Sequence, residues 1–267
     1  MGRGFTLIEL LVVLVLLAVL AVGVSSYIGT GARMYTEATG RQQLLEQGRF
    51  AAERMVRELR NAAPNSVRSN NTALWHCLEF SPVLGSGLYQ NAPIKPISDT
   101  ALHLLAIGWS SDWIGLPFTL YPTTPSDIYT ALATGSAIDS ASLLLNAVVL
   151  DDSQFGRVVL DLDTPHSFAA DSPERRFYLL APSPVSYCLD GAQQRLYRYS
   201  GYAYSAAQQL PPGSTGVLMA KGVAEARFAV VPPVLTRNAV VNLQLRLENN
   251  AVSPAFFNYE VHLVNVP

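Results

Sequence analysis

Charge is scarce in this 267-residue chain: 14% of its residues are Asp, Glu, Lys or Arg, against about 25% in an average soluble domain. Together with 49% hydrophobic residues, that deficit excludes a disordered, highly solvated polypeptide. A basic excess is missing too, since 18 Lys and Arg face 20 Asp and Glu for a formal net charge of -2, so no nucleic-acid partner is expected. Cysteine is nearly absent. Cys77 and Cys188 are too few for a disulfide scaffold and too far apart for the C-x-x-C pairs of a zinc site, which leaves one bridge or two thiols. The four histidines, His76, His103, His166 and His262, form no spaced pair, and the P-loop, H-E-x-x-H and G-x-S-x-G patterns are all missing. The chain is therefore not expected to be an enzyme, nor to use a cofactor or a metal. Asp161 and Asp163, with Asp151 and Asp152 nearby, lack the glycine and distal glutamate of a calcium-binding loop and read as the wet face of a strand.

What the sequence does have is concentrated at its start. Phe5 to Val24 read FTLIELLVVLVLLAVLAVGV, and no charge separates Glu9 from Arg33. At 1.5 Å per residue that stretch reaches about 35 Å, enough to cross a hydrocarbon layer of ~30 Å; residues 5–28 are the expected span. A cleaved secretory signal would place several basic residues before a shorter apolar core. Here only Met1, Gly2, Arg3 and Gly4 precede the run, and a single carboxylate, Glu9, interrupts it. An acid deep in hydrocarbon costs ~2.5–3.5 kcal/mol, so it is ordinarily paired or functional.

The string Gly4-Phe5-Thr6-Leu7-Ile8-Glu9 ahead of an apolar stretch resembles the signal of type IV pilins and type II secretion pseudopilins. The resemblance implies that a prepilin peptidase cuts after Gly4, removing residues 1–4, and methylates the new amino group of Phe5. It further implies that Glu9 pairs with the N-terminal amine of a neighbouring subunit in a filament. Two opposite charges held in low dielectric need each other far more than they would in water.

The helix is expected to run on past the membrane, over residues 5–63. From Arg33 to Arg60 opposite charges recur at i,i+4 spacing, as in Arg33/Glu37/Arg41 and Arg49/Glu53/Arg57, which marks a solvated helical face. Leu45, Ala52, Met55, Val56, Leu59 and Ala63 supply the apolar stripe that would rest on a head, with Pro64 ending the helix. Gly23, Gly29, Gly31, Gly40 and Gly48 either bend or melt it locally or permit close packing.

Residues 64–267 read as one globular, mainly β head with no βαβ alternation, hence an antiparallel sheet and an α+β, pilin-like fold. Val241 to Glu248 alternates apolar and polar residues, and Tyr259 to Val266 does so less cleanly. Short apolar runs at Leu102 to Ile107, Leu143 to Leu150, Arg157 to Leu162 and Phe177 to Ala181 fit strands. Val185 to Cys188 and Arg195 to Tyr199 fit a hairpin turning at Asp190-Gly191. Between Leu116 and Asn146 a stretch rich in Pro, Thr, Ser and Ala reads as an insertion holding one short helix, capped by Ser126 and ending near Gly135. A head outside the cytoplasm meets an oxidising compartment, so Cys77 and Cys188 are expected to be bridged, two buried thiols being the alternative. Trp109, Trp113, Tyr197, Tyr199, Tyr202 and Tyr204 fit core or cross-strand packing better than a sugar-stacking surface.

A long helix followed by a large head points to a low-copy subunit. The stretch RFAAERMVRELRNAAPNSVR from Arg49 to Arg68 resembles the post-helix signature of J-type pseudopilins and PilW-like minor pilins. With Cys77-Leu-Glu-Phe, Val-Ser-Tyr-Cys188-Leu, Arg195-Leu-Tyr-Arg-Tyr199 and the terminal VHLVNVP, it is most similar to the MshO family of the mannose-sensitive haemagglutinin (MSHA) pilus. That resemblance implies a bacterial inner-membrane protein with a periplasmic head that passes to the pilus and supports surface attachment. Its partners would be the prepilin peptidase, the major and other minor pilins, and indirectly the inner-membrane assembly platform and its ATPase. A J-like pseudopilin of a type II secretion system is the competing expectation.

Overall fold

The computed structural model describes residues 6–105, 110–134, 142–144, 147–149, 157–233, 238–249 and 252–263. Its first element, α1 (Leu7–Leu59), is an unbroken helix of 53 residues, about 80 Å long. The glycines do not melt it. Gly23, Gly29 and Gly31 face open space, whereas Gly48 lies under the ring of Phe257, where an added Cβ would come within 2.1 Å of the ring edge. At Gly48, close packing is thus the reason for the missing side chain.

The helix ends at Leu59, short of the expected Ala63 and of Pro64. Tertiary pairing takes the chain away first: Ala62 bridges Pro82, the Ala63 amide donates to the Ser81 carbonyl and the Val83 amide to that of Asn61. The buried stripe also differs from expectation. Leu44, Gly48, Ala51, Ala52, Met55 and Leu59 are buried, while Leu45 is 40% exposed; a stripe read from sequence does not say on which side of the helix the sheets arrive.

The head continues with β1 (Arg68–Asn71), β2 (Trp75–Phe80), β3 (Val83–Asn91), β4 (Asp99–Leu105), β5 (Pro117–Leu120) and helix α2 (Pro125–Thr134). Next come β6 (Ser142–Leu144), β7 (Ala147–Val149), β8 (Arg157–His166), β9 (Arg176–Leu180), β10 (Val185–Asp190) and β11 (Arg195–Tyr199). The last four are β12 (Val217–Lys221), β13 (Val223–Val231), β14 (Val240–Asn249) and β15 (Val252–His262). The strand pairings are antiparallel, as the absence of βαβ units predicts. Within the expected run from Leu143 to Leu150, the described residues belong to two short strands, β6 and β7, on different edges of one sheet. Of the expected Tyr259 to Val266 strand, Tyr259 to His262 are the end of a longer β15 that starts at Val252, and residues 264–266 lie outside the described residues.

Two sheets and α1 share the main core. A five-stranded sheet, β1-β2-β10-β11-β12, and a three-stranded sheet, β13-β14-β15, turn Leu78, Phe80, Tyr187, Leu196, Phe228, Val241, Leu243 and Leu245 toward Met55 and Leu59 of the helix. Gly222 (φ +68°) makes the sharp passage from β12 to β13, and a Cβ there would sit 2.6 Å from the Glu248 carbonyl oxygen, so only glycine fits. The β10–β11 hairpin turns at Asp190-Gly191 as expected, with Asp190 Oδ1 accepting from the amides of Ala192 and Gln193, both at 3.0 Å.

Every described strand between β2 and β10 belongs to the third sheet, ordered β6-β5-β9-β3-β4-β8-β7. Its outer strands, β6 and β7, are joined by residues 145–146 alone. Such a link spans about 10 Å at most, whereas the outer strands of a flat seven-stranded sheet stand about 29 Å apart. The sheet is therefore rolled until its edges approach, around a core of its own containing Leu102, Leu104, Phe118, Leu160, Phe168 and Phe177. The stretch from Leu116 to Asn146, which reads as a loose insertion, contributes β5, α2 and β6, with Phe118, Leu120, Ile128 and Tyr129 fully buried. Helix α2 lies where expected, but Ser126 is not its cap. Pro125 occupies the first helical position, and Asp127 Oδ2 accepts from the Thr124 amide at 2.9 Å, the carboxylate half of a capping box.

Candidate assembly site

Among the described residues, the N-terminal half of α1 is not buried against the head. Leu7 to Ile28 expose their apolar side chains, and the most apolar 18-residue window, with mean hydropathy 3.1, is 0% buried. An apolar face of that size in water is untenable for a monomer, so a bilayer or the helices of neighbouring subunits must cover it.

Thr6, in extended conformation (φ -83°, ψ 150°), is the N-cap of α1, and Glu9 stands in the first turn. Its side chain is exposed and has no partner among the described residues. The position suits a carboxylate, because the unpaired amides of the first turn carry partial positive charge worth ~0.3–1 kcal/mol to a nearby anion. Gly4 and Phe5 lie outside the described residues, so the cleavage and methylation expected there rest on the sequence alone.

Helix and head are locked together near the other end of α1. Glu58, half-buried, receives Arg54 Nε at 3.0 Å and Arg198 Nε at 2.9 Å, which ties β11 to the helix. Burial by itself raises the Glu58 carboxyl, but the hydrogen bonds from Arg198 and Arg54 outweigh it and hold the group below its ordinary value. The carboxylate is thus favoured by folding, and its contribution is present above the unfolded pKa of ~4.3 and lost as pH falls through the lower folded value. Glu58→Gln is expected to cost about 1–3 kcal/mol at neutral pH. Denaturant titrations at pH 7 and pH 3 should show the wild-type advantage shrinking in acid.

Further up, the Gln47 side-chain oxygen accepts the Lys221 amide at 3.3 Å, and Phe257 lies on Gly48. By helix propensity, Gly48→Ala should stabilise by ~1 kcal/mol. A 2.1 Å approach reverses the sign: overpacking of this kind costs about 1–3 kcal/mol. Gly48→Ala is expected to lower the thermal midpoint, whereas Gly29→Ala, facing open space, should not.

Cys77 and Cys188 are joined by a disulfide. They stand directly opposite each other on β2 and β10 and are wholly buried beneath Tyr199, Tyr202, Trp75 and Leu210. Of the aromatics, Tyr199, Tyr202 and Tyr204 are buried, and Trp113 lies against Gly85; Trp109 is outside the described residues. The three buried tyrosines thus bear out the expected core packing, and Trp113 and Tyr197 are half-buried.

One charged group was not legible beforehand. Glu79, 2% exposed, receives Arg68 Nε and the Tyr202 hydroxyl, the latter at 2.9 Å. Arg68 also donates to the Ser205 and Ala206 carbonyls and stacks 3.6 Å over the Tyr129 ring. Burial raises the Glu79 carboxyl, and Arg68 with Tyr202 offsets only part of this. A glutamate inside the apolar strand WHCLEF was the available signal. Its partners, 11 and 123 residues away, gave none. The histidines sit on four different strands, β2, β4, β8 and β15. Asp161 and Asp163 lie on β8, while Asp151 and Asp152 are outside the described residues.

Residues 2–25 match the family described as Prokaryotic N-terminal methylation motif. No curated protein and no solved structure matches the chain. The match covers the anchor and none of the head, and it identifies the N-terminus as a type IV pilin-like prepilin signal.

Proposed function

We propose, for a chain that carries a prepilin-type methylation motif and presents a long exposed apolar helix beneath a β-rich head, that it acts as a non-enzymatic minor pilin. The closest reading is an MshO-like subunit of an MSHA-type pilus. It would be cut after Gly4 and methylated on Phe5 by the prepilin peptidase, then join other minor pilins in a complex that primes assembly of the filament by the inner-membrane platform and its ATPase. It would act at initiation or at the tip and support attachment. The observation that carries this reading is the pairing of the motif over residues 2–25 with a helix whose apolar half is left exposed by the described residues of its own head. The large head favours a low-copy subunit over the main building block.

Intact mass and the N-terminal peptide, measured in sheared surface material and in membranes, test it. A chain beginning at methylated Phe5 in the sheared fraction supports a pilus subunit. Processed protein held wholly in membranes, with exoprotein trapped in the periplasm of a deletion strain, favours the J-like pseudopilin. A Met1 terminus in both fractions overturns both readings.

A further inference from the structure

β15 ends the three-stranded sheet on one side, and β14 is its strand partner. From Val240 opposite His262 to Leu247 opposite Ala255 the ladder has no register break. The Leu263 amide donates to the Ala239 carbonyl at 2.9 Å. By the alternation of an antiparallel ladder, Val261, Tyr259, Phe257 and Ala255 therefore turn their amides and carbonyls toward β14. Phe256, Asn258, Glu260 and His262 turn theirs away, and among the described residues those groups have no hydrogen-bond partner. The open edge from Phe256 to His262 is about 20 Å long.

The other sheet ends offer less. β1 has four residues, β6 and β7 three each, and β12 five with a register break at Leu196/Tyr197. β13, on the far side of the same sheet, sends Ala226 and Phe228 into the main core and lies against β1, β2 and β10. Exposed edges are ordinarily blunted by shortness, bulges, proline or charge. In β15 the proline, Pro254, and the register break both precede Phe256. Beyond them stands Phe256, 72% exposed on the solvent face, with one acid, Glu260, 3.2 Å from His262.

Position restricts what can take this edge. β15 runs alongside α1 in the same direction, Val252 beside Gly40 and Phe257 on Gly48, above the apolar half of the helix that remains uncovered. A subunit packed along α1 on that side brings its own head level with β15. Pairing of β15 with the β15 of a second copy does not suit a filament. Antiparallel pairing would turn one anchor away from the membrane, and parallel pairing gives a closed two-fold pair, whereas a helical array is built from head-to-tail contacts.

We infer that β15, from Phe256 to His262, is the docking edge for an extended strand of the neighbouring pilin-type subunit, a strand other than that subunit's counterpart of β15. The inference rests on the pilin reading above. Main-chain hydrogen bonds supply the affinity, and an apolar residue opposite Phe256 with a basic one opposite Glu260 sets the register.

A photo-crosslinking phenylalanine analogue in place of Asn258, in the full chain and in whole cells, tests the contact directly. It should join β15 to an extended segment of a different subunit whose own N-terminus is processed and methylated. A cross-link to β15 of a second copy, to lipid alone, or to no protein overturns the inference. Two variants carry the test to assembly. Phe256→Lys puts a charge on the edge with the backbone untouched, and Asn258→Pro removes an amide that β14 does not use. Both should carry methylated Phe5 and an oxidised Cys77–Cys188 pair, yet reach sheared material at a tenth of the wild-type level or less. If proline at 258 prevents the disulfide from forming, Phe256→Lys and the cross-link decide. Incorporation of Phe256→Lys at the wild-type level overturns the inference, whereas a wild-type chain that keeps Met1 defeats the pilin reading itself.

Discussion

A Glu9→Val chain is expected to be cleaved after Gly4 as efficiently as wild type, yet to reach sheared filaments at a tenth of the wild-type level or less. On the proposed reading cleavage acts on the Gly4–Phe5 bond, which the substitution leaves untouched. Assembly is another matter. The amine freed at Phe5 would enter a bundle of helices whose side chains, Leu7 to Ile28, are apolar and exposed in the single chain. Desolvating an ammonium without a counter-ion costs several kcal/mol, and each 1.4 kcal/mol is tenfold in an equilibrium. The same substitution removes an acid that costs ~2.5–3.5 kcal/mol in hydrocarbon, so membrane retention should hold or improve. Loss of filaments with retained anchoring separates a pairing defect from a weakened anchor. Peptide mapping of membranes and quantitation of sheared material check both halves, and normal piliation would falsify the pairing role.

Removing the disulfide is expected to have the largest effect on the folded head. Cys77 and Cys188 are 111 residues apart, and closing a loop of that size restricts the unfolded chain enough to stabilise the fold by ~4–5 kcal/mol on the chain-entropy account. For a head of this size, that corresponds to a thermal midpoint about 10–15 °C lower in the Cys77→Ala/Cys188→Ala double variant. Both sulfurs are wholly buried, so the native protein should take up no thiol-alkylating reagent, either untreated or after mild reductant. A midpoint unchanged within 2 °C would mean that the unfolded chain is held compact by other means. The bridge also joins the two strands from which residues 83–180 depart and to which they return, so the loss should be felt first where those strands end, as faster proteolysis around Pro82 and Ala181.

Glu58, half-buried, and Glu79, buried, show why two carboxylates of one fold respond oppositely to pH. Glu58 has two arginines at hydrogen-bond distance and is held low; Glu79 is deeper, with one arginine and a tyrosine, and burial wins. Glu58 therefore adds stability that disappears in acid. Glu79 adds a contribution that is full below its unfolded pKa of ~4.3 and is lost as pH rises through its higher folded value.

What the sequence determined by itself is local. Twenty or so consecutive apolar residues broken by a single acid can serve only a helix in an apolar surrounding, and the Gly4-Phe5-Thr6-Leu7-Ile8-Glu9 string needs no partner to be read. The same holds for the alternation around Val241 to Glu248 and for the Asp190-Gly191 turn, whose hydrogen bonds join neighbours in the chain. Tertiary structure decided the rest, because the responsible contacts join residues far apart. Leu59 ends the helix because residues 61–63 pair with residues 81–83. Leu44 is buried instead of Leu45 because that is where the sheets meet the helix, and Gly48 is required because Phe257 arrives from 209 positions away. The division of the strands between the two sheets that share a core with α1 and the rolled third sheet is invisible to periodicity, since strands of all three alternate alike. Only pairing distinguishes them, and pairing is decided by which distant edge each strand finds.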